Sequence, residues 1–292
     1  MIVAIGESVY DIIFKDGKPV SSVHGGSMYN VAISLGRSGS RVSFAGYYAN
    51  DKIGKASQVF LAENNVDTRN FNLINGAKSN LALAFLDKHG VPSYTFYRDK
   101  KLSGNTMNIN FLEVDVFLVG SFFAINDENF SAIKTLIHKA REDNTIIVYD
   151  PNIRNQDIHN NSELVGRVNQ IMQLSDFVKM SDEDATQIIG EKNINKWHRF
   201  ISTAGVNKYV ITRGQETAIA IFDDEEIIFD VPKIEVVSTV GAGDATTAGI
   251  LSSGTNFLSS RDEFYKSVKR GIEFGSHVCT LSENFITEDF KI

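Results

Sequence analysis

Residues 238–244 read Ser-Thr-Val-Gly-Ala-Gly-Asp. Gly241 and Gly243 flank Ala242, and a carboxylate, Asp244, follows at once. Small residues in succession let a backbone curl until several N–H groups point to one spot. A helix that starts there adds the positive end of its dipole. Such a spot suits the charge that develops on a transferring phosphoryl group. At its mouth, Asp244 would take the proton of an attacking hydroxyl. The plainer alternative is a glycine turn in which Asp244 caps a helix over 244–251.

A second cluster lies near the other end of the chain. Gly25-Gly26-Ser27-Met28-Tyr29-Asn30 is a glycine pair running into a helix. Glycine lets a ligand approach the backbone closely, and Asn30 on the first turn would donate to and accept from a polyol. Asp11 stands just past the first strand, and a carboxylate accepts from two adjacent sugar hydroxyls. His24 borders the glycine pair. A plain helix start and a solvated turn acid are the alternatives for these two features.

Two common nucleotide motifs are excluded. The nearest match to G-x-x-x-x-G-K-[ST], ending Gly54-Lys55-Ala56, has Ala49 at the first glycine and Ala56 at the hydroxyl position. After Gly241 and Gly243, the third glycine of a dinucleotide fingerprint is Thr246, and Asp244 would put a negative charge beside a pyrophosphate.

The elements that must position these residues follow from hydrophobic pattern. Short β-branched runs at Ile2–Ile5, 42–45, 116–119, 146–149, 177–180 and 209–212 predict buried strands. Helical spacing predicts helices over Ser27–Arg37, 127–141 with Asp127 as cap, 162–174, and Asp182–Ile189. Their alternation predicts an α/β fold, a mostly parallel sheet with helices on both faces. Segments 10–23 and 81–98 break the rhythm. The first turns at Asp16-Gly17; the second reads as strands 81–86 and 93–97 joined through Asp87-Lys88-His89-Gly90. Together they predict a small β-sheet serving as a lid, or a surface hairpin pair without that role.

Bulk properties narrow the class. The 292 residues are 42% hydrophobic and 22% charged, as expected of one large domain spanning 1–292. A net charge of -7 argues against nucleic acid as partner. No window reaches the roughly 20 apolar residues of a membrane span. The apolar N-terminal run is too short for a signal peptide, and Cys279 is the one cysteine, so a reduced, cytoplasmic protein is expected.

The two clusters together resemble the paired signatures of the ribokinase-like (PfkB) carbohydrate kinases, and the resemblance spans the chain in order. Gly6 to Asp11, the Asp51 and Gly54 element, Phe96-Tyr97-Arg98, Asp150-Pro151-Asn152-Ile153-Arg154 and Thr212-Arg213-Gly214 also match, several as in the fructokinase and 2-keto-3-deoxygluconate kinase branch. The resemblance implies an ATP-dependent sugar kinase with a ketose, fructose first, as acceptor. It makes Asp244 the base and Gly241, Ala242 and Gly243 with Asp244 the anion hole. Asp11, Gly25, Gly26, Asn30, Arg98 and Arg154 fall on the sugar side. Thr212, Gly214, Thr239 and Lys179 fall on the nucleotide side, and Asp184 would act on Mg²⁺ through water. The lid strands, if half apolar and exposed, suggest pairing with a second subunit's lid.

Four positions depart from the family pattern. Ser238 stands where an acid usually opens the catalytic stretch, which leaves monovalent-cation dependence open. Ser181 and Asp184 replace Asn and Glu of an N-x-x-E element. Thr217 replaces the last glycine of T-x-G-x-x-G, and Met28-Tyr29 replaces a small pair. If Arg98 and Arg154 both enter the cleft, a sugar acid becomes the acceptor. Otherwise Arg154 serves the phosphoryl group and Arg98 closes the lid, or both make surface salt bridges. A sugar-binding relative without turnover and a nucleoside kinase are the competing functions.

Overall fold

The computed structural model describes residues 1–86, 92–104, 107–153 and 158–290. The first half comprises β1 (Ile2–Ile5), β2 (Val9–Lys15), β3 (Lys18–Gly25), α1 (Ser27–Arg37), β4 (Val42–Ala49), α2 (Lys52–Glu63), β5 (Val66–Asp67), β6 (Phe71–Ile74), β7 (Leu81–Leu86) and β8 (Pro92–Tyr97). The second comprises β9 (Val116–Gly120), α3 (Phe130–Glu142), β10 (Ile146–Asp150), α4 (Ser162–Met172), β11 (Phe177–Ser181), α5 (Asp182–Ile189), α6 (Ile194–Thr203), β12 (Lys208–Thr212), β13 (Ala218–Phe222), β14 (Glu225–Phe229), α7 (Ala242–Leu251) and α8 (Arg261–Cys279).

The main sheet has the order β14-β13-β12-β11-β10-β9-β1-β4-β5, with β6 continuing beside β4. From β12 to β5 neighbouring strands are parallel; β13 and β14 add an antiparallel edge. Its strands are near-continuous apolar runs because helices cover both faces. Val3 and Ile5 join the core beneath α3, α4, α5 and α6. Ile2 and Ala4 join the core beneath α1, α7 and α8. From β1 the chain proceeds to β4 on one side, and β9 lies on the other. That reversal opens a crevice at the carboxyl ends of the strands, where ligands of open α/β sheets bind.

A separate sheet of order β3-β2-β7-β8 stands off this crevice. It occupies the two segments that broke the strand–helix rhythm. Asp16 and Gly17, both at positive φ, turn the chain between β2 and β3. The connection through residues 87–90 lies outside the described residues.

The helix expected over 127–141 begins later, at Phe130, after an N-cap Asn129 that makes no side-chain cap. Asp127 does not cap it; its carboxylate pairs with Arg167 at 2.7 Å. The helix expected over 162–174 ends at Met172, and the one expected over 244–251 starts two residues earlier, at Ala242.

Candidate active site

Two helix N-termini meet at the crevice, and both are unlike most others in the fold. α2, α4, α5, α6 and α8 each receive a side-chain cap from Asp51, Asn161, Ser181, Asn193 and Ser260. α1 and α7 start instead at Gly26 and Gly241, with no side-chain cap. Their first-turn N–H groups are therefore left for another acceptor, apart from that of Ala242, which donates to the Thr239 carbonyl. Gly26 has φ 121°, and a Cβ there would lie 2.4 Å from the Glu7 carbonyl oxygen. Gly241 has φ 84°, and a Cβ there would meet the Asn284 carbonyl oxygen at 2.2 Å. At both positions only glycine fits.

Asp244 is the third residue of α7 and 1% exposed. It does not cap the helix. Ser27 Oγ donates to its Oδ1 at 2.7 Å, and Asn30 Nδ2 donates to its Oδ2 at 2.8 Å. Asn152 Nδ2 reaches the same Oδ1 at 3.0 Å and the Ser27 hydroxyl at 2.9 Å. Asn152 holds this pose with φ 38°, a strained backbone for a residue other than glycine. The carboxylate is thus oriented by three donors from two other elements.

Next to the start of α1, Asp11 lies against Gly25: a Cβ on Gly25 would sit 2.7 Å from Asp11 Oδ2. Asn30 spends its amide on Asp244, and its buried Oδ1 has no partner among the described residues. That orphan acceptor suits an incoming hydroxyl. Met28 and Tyr29, which depart from the family's small pair, are both fully buried. Met28 fills the space above Gly6 and Gly120, and the Tyr29 hydroxyl donates to the Ser57 carbonyl at 3.0 Å. They pack α1 against the sheet rather than facing a ligand. His24 is held by Ser57 at 2.8 Å, and burial lowers its pKa. Arg98 makes a two-pronged contact with Glu7, at 3.1 and 3.0 Å, and stacks over Phe96. Arg154 lies outside the described residues.

Beneath α7, Lys179 Nζ is 3.3 Å from Asp150 Oδ2, and both side chains are buried. Thr247 Oγ1 donates to that oxygen at 2.7 Å, while Asp150 Oδ1 has no partner among the described residues. Burial pushes the Asp150 carboxyl up to about 6, against the opposing pull of Lys179. The Asp184 and Asp244 carboxylates push the same way as burial, and Thr247 opposes them.

Other expected positions serve local structure. Asp184 forms a capping box with Ser181 at the start of α5. Its other oxygen accepts from the Ile153 N–H at 2.7 Å, which braces the loop carrying Asn152. Ser181 fills a capping position that Asn would also fill, and among the described residues no contact of Asp184 points to a metal role. Asp51 accepts from Gly54 N–H and from Ser79 N–H and hydroxyl, tying α2 to the base of the small sheet. Burial works against the Asp51 charge, yet these donations hold its pKa below the usual value.

Thr212 ends β12, and Gly214 is exposed at φ 57°. Thr217 in place of glycine accepts from Arg213 Nε at its carbonyl, 2.9 Å, and so closes the β12–β13 turn. The Thr239 carbonyl accepts from the Ala242 N–H at 3.3 Å, and Ser238 Oγ accepts from the Val240 N–H at 3.2 Å. Ser238 is a turn residue here. Among the described residues, no group of three or more His, Cys, Asp or Glu is placed to hold a metal.

The pattern of residues had assigned no role to Ser27, Asn152, Thr247 or Glu7. Ser27 and Asn152 sit inside matched motifs, and Thr247 stands three residues after Asp244 on one helix face. Those placements were the available signal. Glu7 had none.

Over residues 1–284 the chain matches the model of the pfkB family carbohydrate kinases. It is 29% identical over 262 residues to a fructokinase of Rhizobium leguminosarum bv. trifolii, covering 87% of this chain and 79% of that one. It is 26% identical over 270 residues to probable fructokinase-2 of Arabidopsis thaliana, covering 86% and 80%. Its fold is similar to a double mutant of Vibrio cholerae O395 fructokinase in fructose, ADP and potassium ion bound form. The TM-score is 0.85 at 23% identity, over 97% of this chain and 93% of that one. The chain belongs to the pfkB family of carbohydrate kinases.

Proposed function

We propose that the protein is an ATP-dependent sugar kinase that phosphorylates a hydroxyl of a ketose, fructose before other sugars. The observation that carries this reading is the Asp244 carboxylate, held at the uncapped N-terminus of α7 by Ser27 and Asn30 of α1. The fructokinase relatives support the choice of sugar. Asp11, Gly25, Gly26 and the free Oδ1 of Asn30 would bind the sugar. Its reacting hydroxyl gives its proton to Asp244 and attacks the γ-phosphorus, and the bond from that phosphorus to ADP breaks. The N–H groups of Gly243 and Asp244, and that of Ala242 on leaving the Thr239 carbonyl, would receive the charge on the phosphoryl oxygens. Thr212, Gly214 and Thr239 would line the nucleotide side.

A divalent ion such as Mg²⁺ would be held chiefly by the nucleotide's phosphates and by water, because the described residues bring together no group of three or more His, Cys, Asp or Glu to hold it. Ser238, engaged in a turn, gives no carboxylate to a monovalent cation. The Glu7–Arg98 contact favours a neutral ketose over a sugar acid such as 2-keto-3-deoxygluconate, since Glu7 already neutralises the arginine. The small sheet of β3, β2, β7 and β8 would serve as the lid of a single domain. Val20, Phe85 and Phe96, all exposed there, would pair two copies through their lids. No described helix is long and apolar enough to cross a membrane, and a cytoplasmic location is part of the proposal.

An ADP-release assay over fructose, other ketoses, 2-keto-3-deoxygluconate and nucleosides tests this reading. Fructose should give the highest kcat/KM. Binding of a sugar without release of ADP would leave a sugar-binding protein instead.

A further inference from the structure

Four charged side chains are buried among the described residues: Asp150, Lys179, Asp184 and Asp244. Asp150 ends β10, Lys179 is the middle residue of β11, and Asp184 and Asp244 lie in the first turns of α5 and α7. Three are carboxylates and one is an ammonium. A site meant for a polyanion therefore carries an excess of negative charge from its own side chains. Buried charges interact strongly because little water screens them. The one buried cation decides whether an incoming phosphoryl group meets attraction or repulsion.

Lys179 stands where it can act. A Cβ placed on Gly243 would lie 3.0 Å from its Nζ, and among the described residues outside the helix's own backbone no other heavy atom would come within 4 Å. The residue between Ala242 and Asp244 is thus small enough to leave the ammonium against the turn that offers its N–H groups. Asp150, 3.3 Å away, and Thr247, on the same oxygen of Asp150, tie the lysine to α7. Stability alone does not explain the pair. Replacing a buried ion pair by uncharged residues of similar volume is often neutral or stabilising.

We propose that Lys179 is a positioning residue for phosphoryl transfer, a fixed ammonium that Asp150 and Thr247 hold against Gly243 to offset the surrounding carboxylates. This deepens the kinase reading and rests on it. Lys179 acts through the field at the turn, more strongly as charge spreads over the transferring group than in the ground state. Its loss therefore lowers kcat more than it raises KM.

The test compares wild type with the paired variant Lys179→Met and Asp150→Asn, which removes both members of the buried ion pair. It adds Gly243→Ala, alone and on the paired background. Wild-type turnover of fructose is measured first. The paired variant should stay folded at pH 7, with a thermal midpoint no lower than that of wild type, and lose about 100-fold in kcat, the scale of one lost oxyanion donor, with KM for sugar and ATP within about threefold. Gly243→Ala should lower kcat by crowding the ammonium, and it should cost little more on the paired background. A folded paired variant with kcat within about threefold of wild type overturns the role of Lys179. If the paired variant does not fold, Gly243→Ala decides, and wild-type kcat there overturns the role. A wild-type protein that turns over no sugar sinks the kinase reading and this role together. Turnover that survives in the paired variant sinks the role alone.

Discussion

The amide of Asn30 donates to Oδ2 of Asp244 at 2.8 Å, although 214 residues separate the two in the chain. This one bond joins the glycine pair at the start of α1 to the glycine turn at the start of α7. The two helix starts that the proposed function assigns to sugar and to phosphoryl group are therefore fixed relative to each other. Preorganisation of this kind is what a phosphoryl-transfer site needs, since positioning and charge stabilisation supply most of the rate.

Ser27 donates to Asp244 and accepts from Asn152, so its hydroxyl is the centre of the network. Ser27→Ala removes one hydrogen bond to a charged group, an effect on the order of 2 kcal/mol or less. Steady-state kinetics should show kcat reduced by about tenfold with fructose KM nearly unchanged. A wild-type kcat would show that Asn30 and Asn152 suffice to orient the carboxylate.

Gly26 has a backbone conformation that L side chains rarely adopt, and a Cβ there collides with the Glu7 carbonyl. Gly26→Ala should destabilise the fold by about 3 kcal/mol, combining backbone strain with displacement of the β1–β2 connection. Urea unfolding measures this. A loss below about 1 kcal/mol would mean that α1 can start elsewhere.

Asp150 makes stability depend on pH. Its folded pKa, about 6, lies above the value of an exposed aspartate. The folded state then binds more protons than the unfolded state between about pH 4 and 6. The contribution of Asp150 is present below that window and is lost as pH rises through it, by an amount on the order of 3 kcal/mol. The paired variant Lys179→Met and Asp150→Asn should lack this slope. The stability difference between wild type and variant, followed by urea unfolding from pH 4 to 7, should move against wild type as pH rises.

Glu7 holds Arg98 in a two-pronged contact. Glu7→Gln frees that charge for a carboxylate ligand. The ratio of kcat/KM for 2-keto-3-deoxygluconate to that for fructose should rise by about tenfold, the scale of a charged hydrogen bond. An unchanged ratio would place Arg98 outside the sugar site.

Much of the fold was legible because its core is strongly periodic. Met28, Val31, Ala32 and Leu35 carry the helical spacing, and α1 has the predicted limits. Six core strands were readable because parallel strands buried on both faces are continuous apolar runs. β5 and β6 were not, since each is only a few residues long and both depend on pairing with β4. β13 and β14 were missed too, although Ala218–Phe222 is a continuous apolar run; they pair antiparallel at the edge of the sheet, with β14 half exposed. Asp127 looked like a cap, but Arg167 competes for its carboxylate, and that contact is tertiary. At the site, the two glycine turns could be read because glycine is obligatory there. Asn30 could be placed in the cleft, but its bond to Asp244 could not, because nothing local relates positions 30 and 244. The same holds for Met28 and Tyr29, whose packing against Gly6, Gly120 and Ser57 exists only in the folded chain.

The most direct test of the central claim is fructose-dependent ADP release by wild type and by Asp244→Asn, across a range of pH. The substitution keeps the size of the side chain and removes its capacity as a base. Wild type should turn over, and the variant should lose at least about a thousandfold in kcat while still binding the sugar. A variant that keeps near-wild-type kcat with the same pH profile would contradict the assignment of Asp244 as the base.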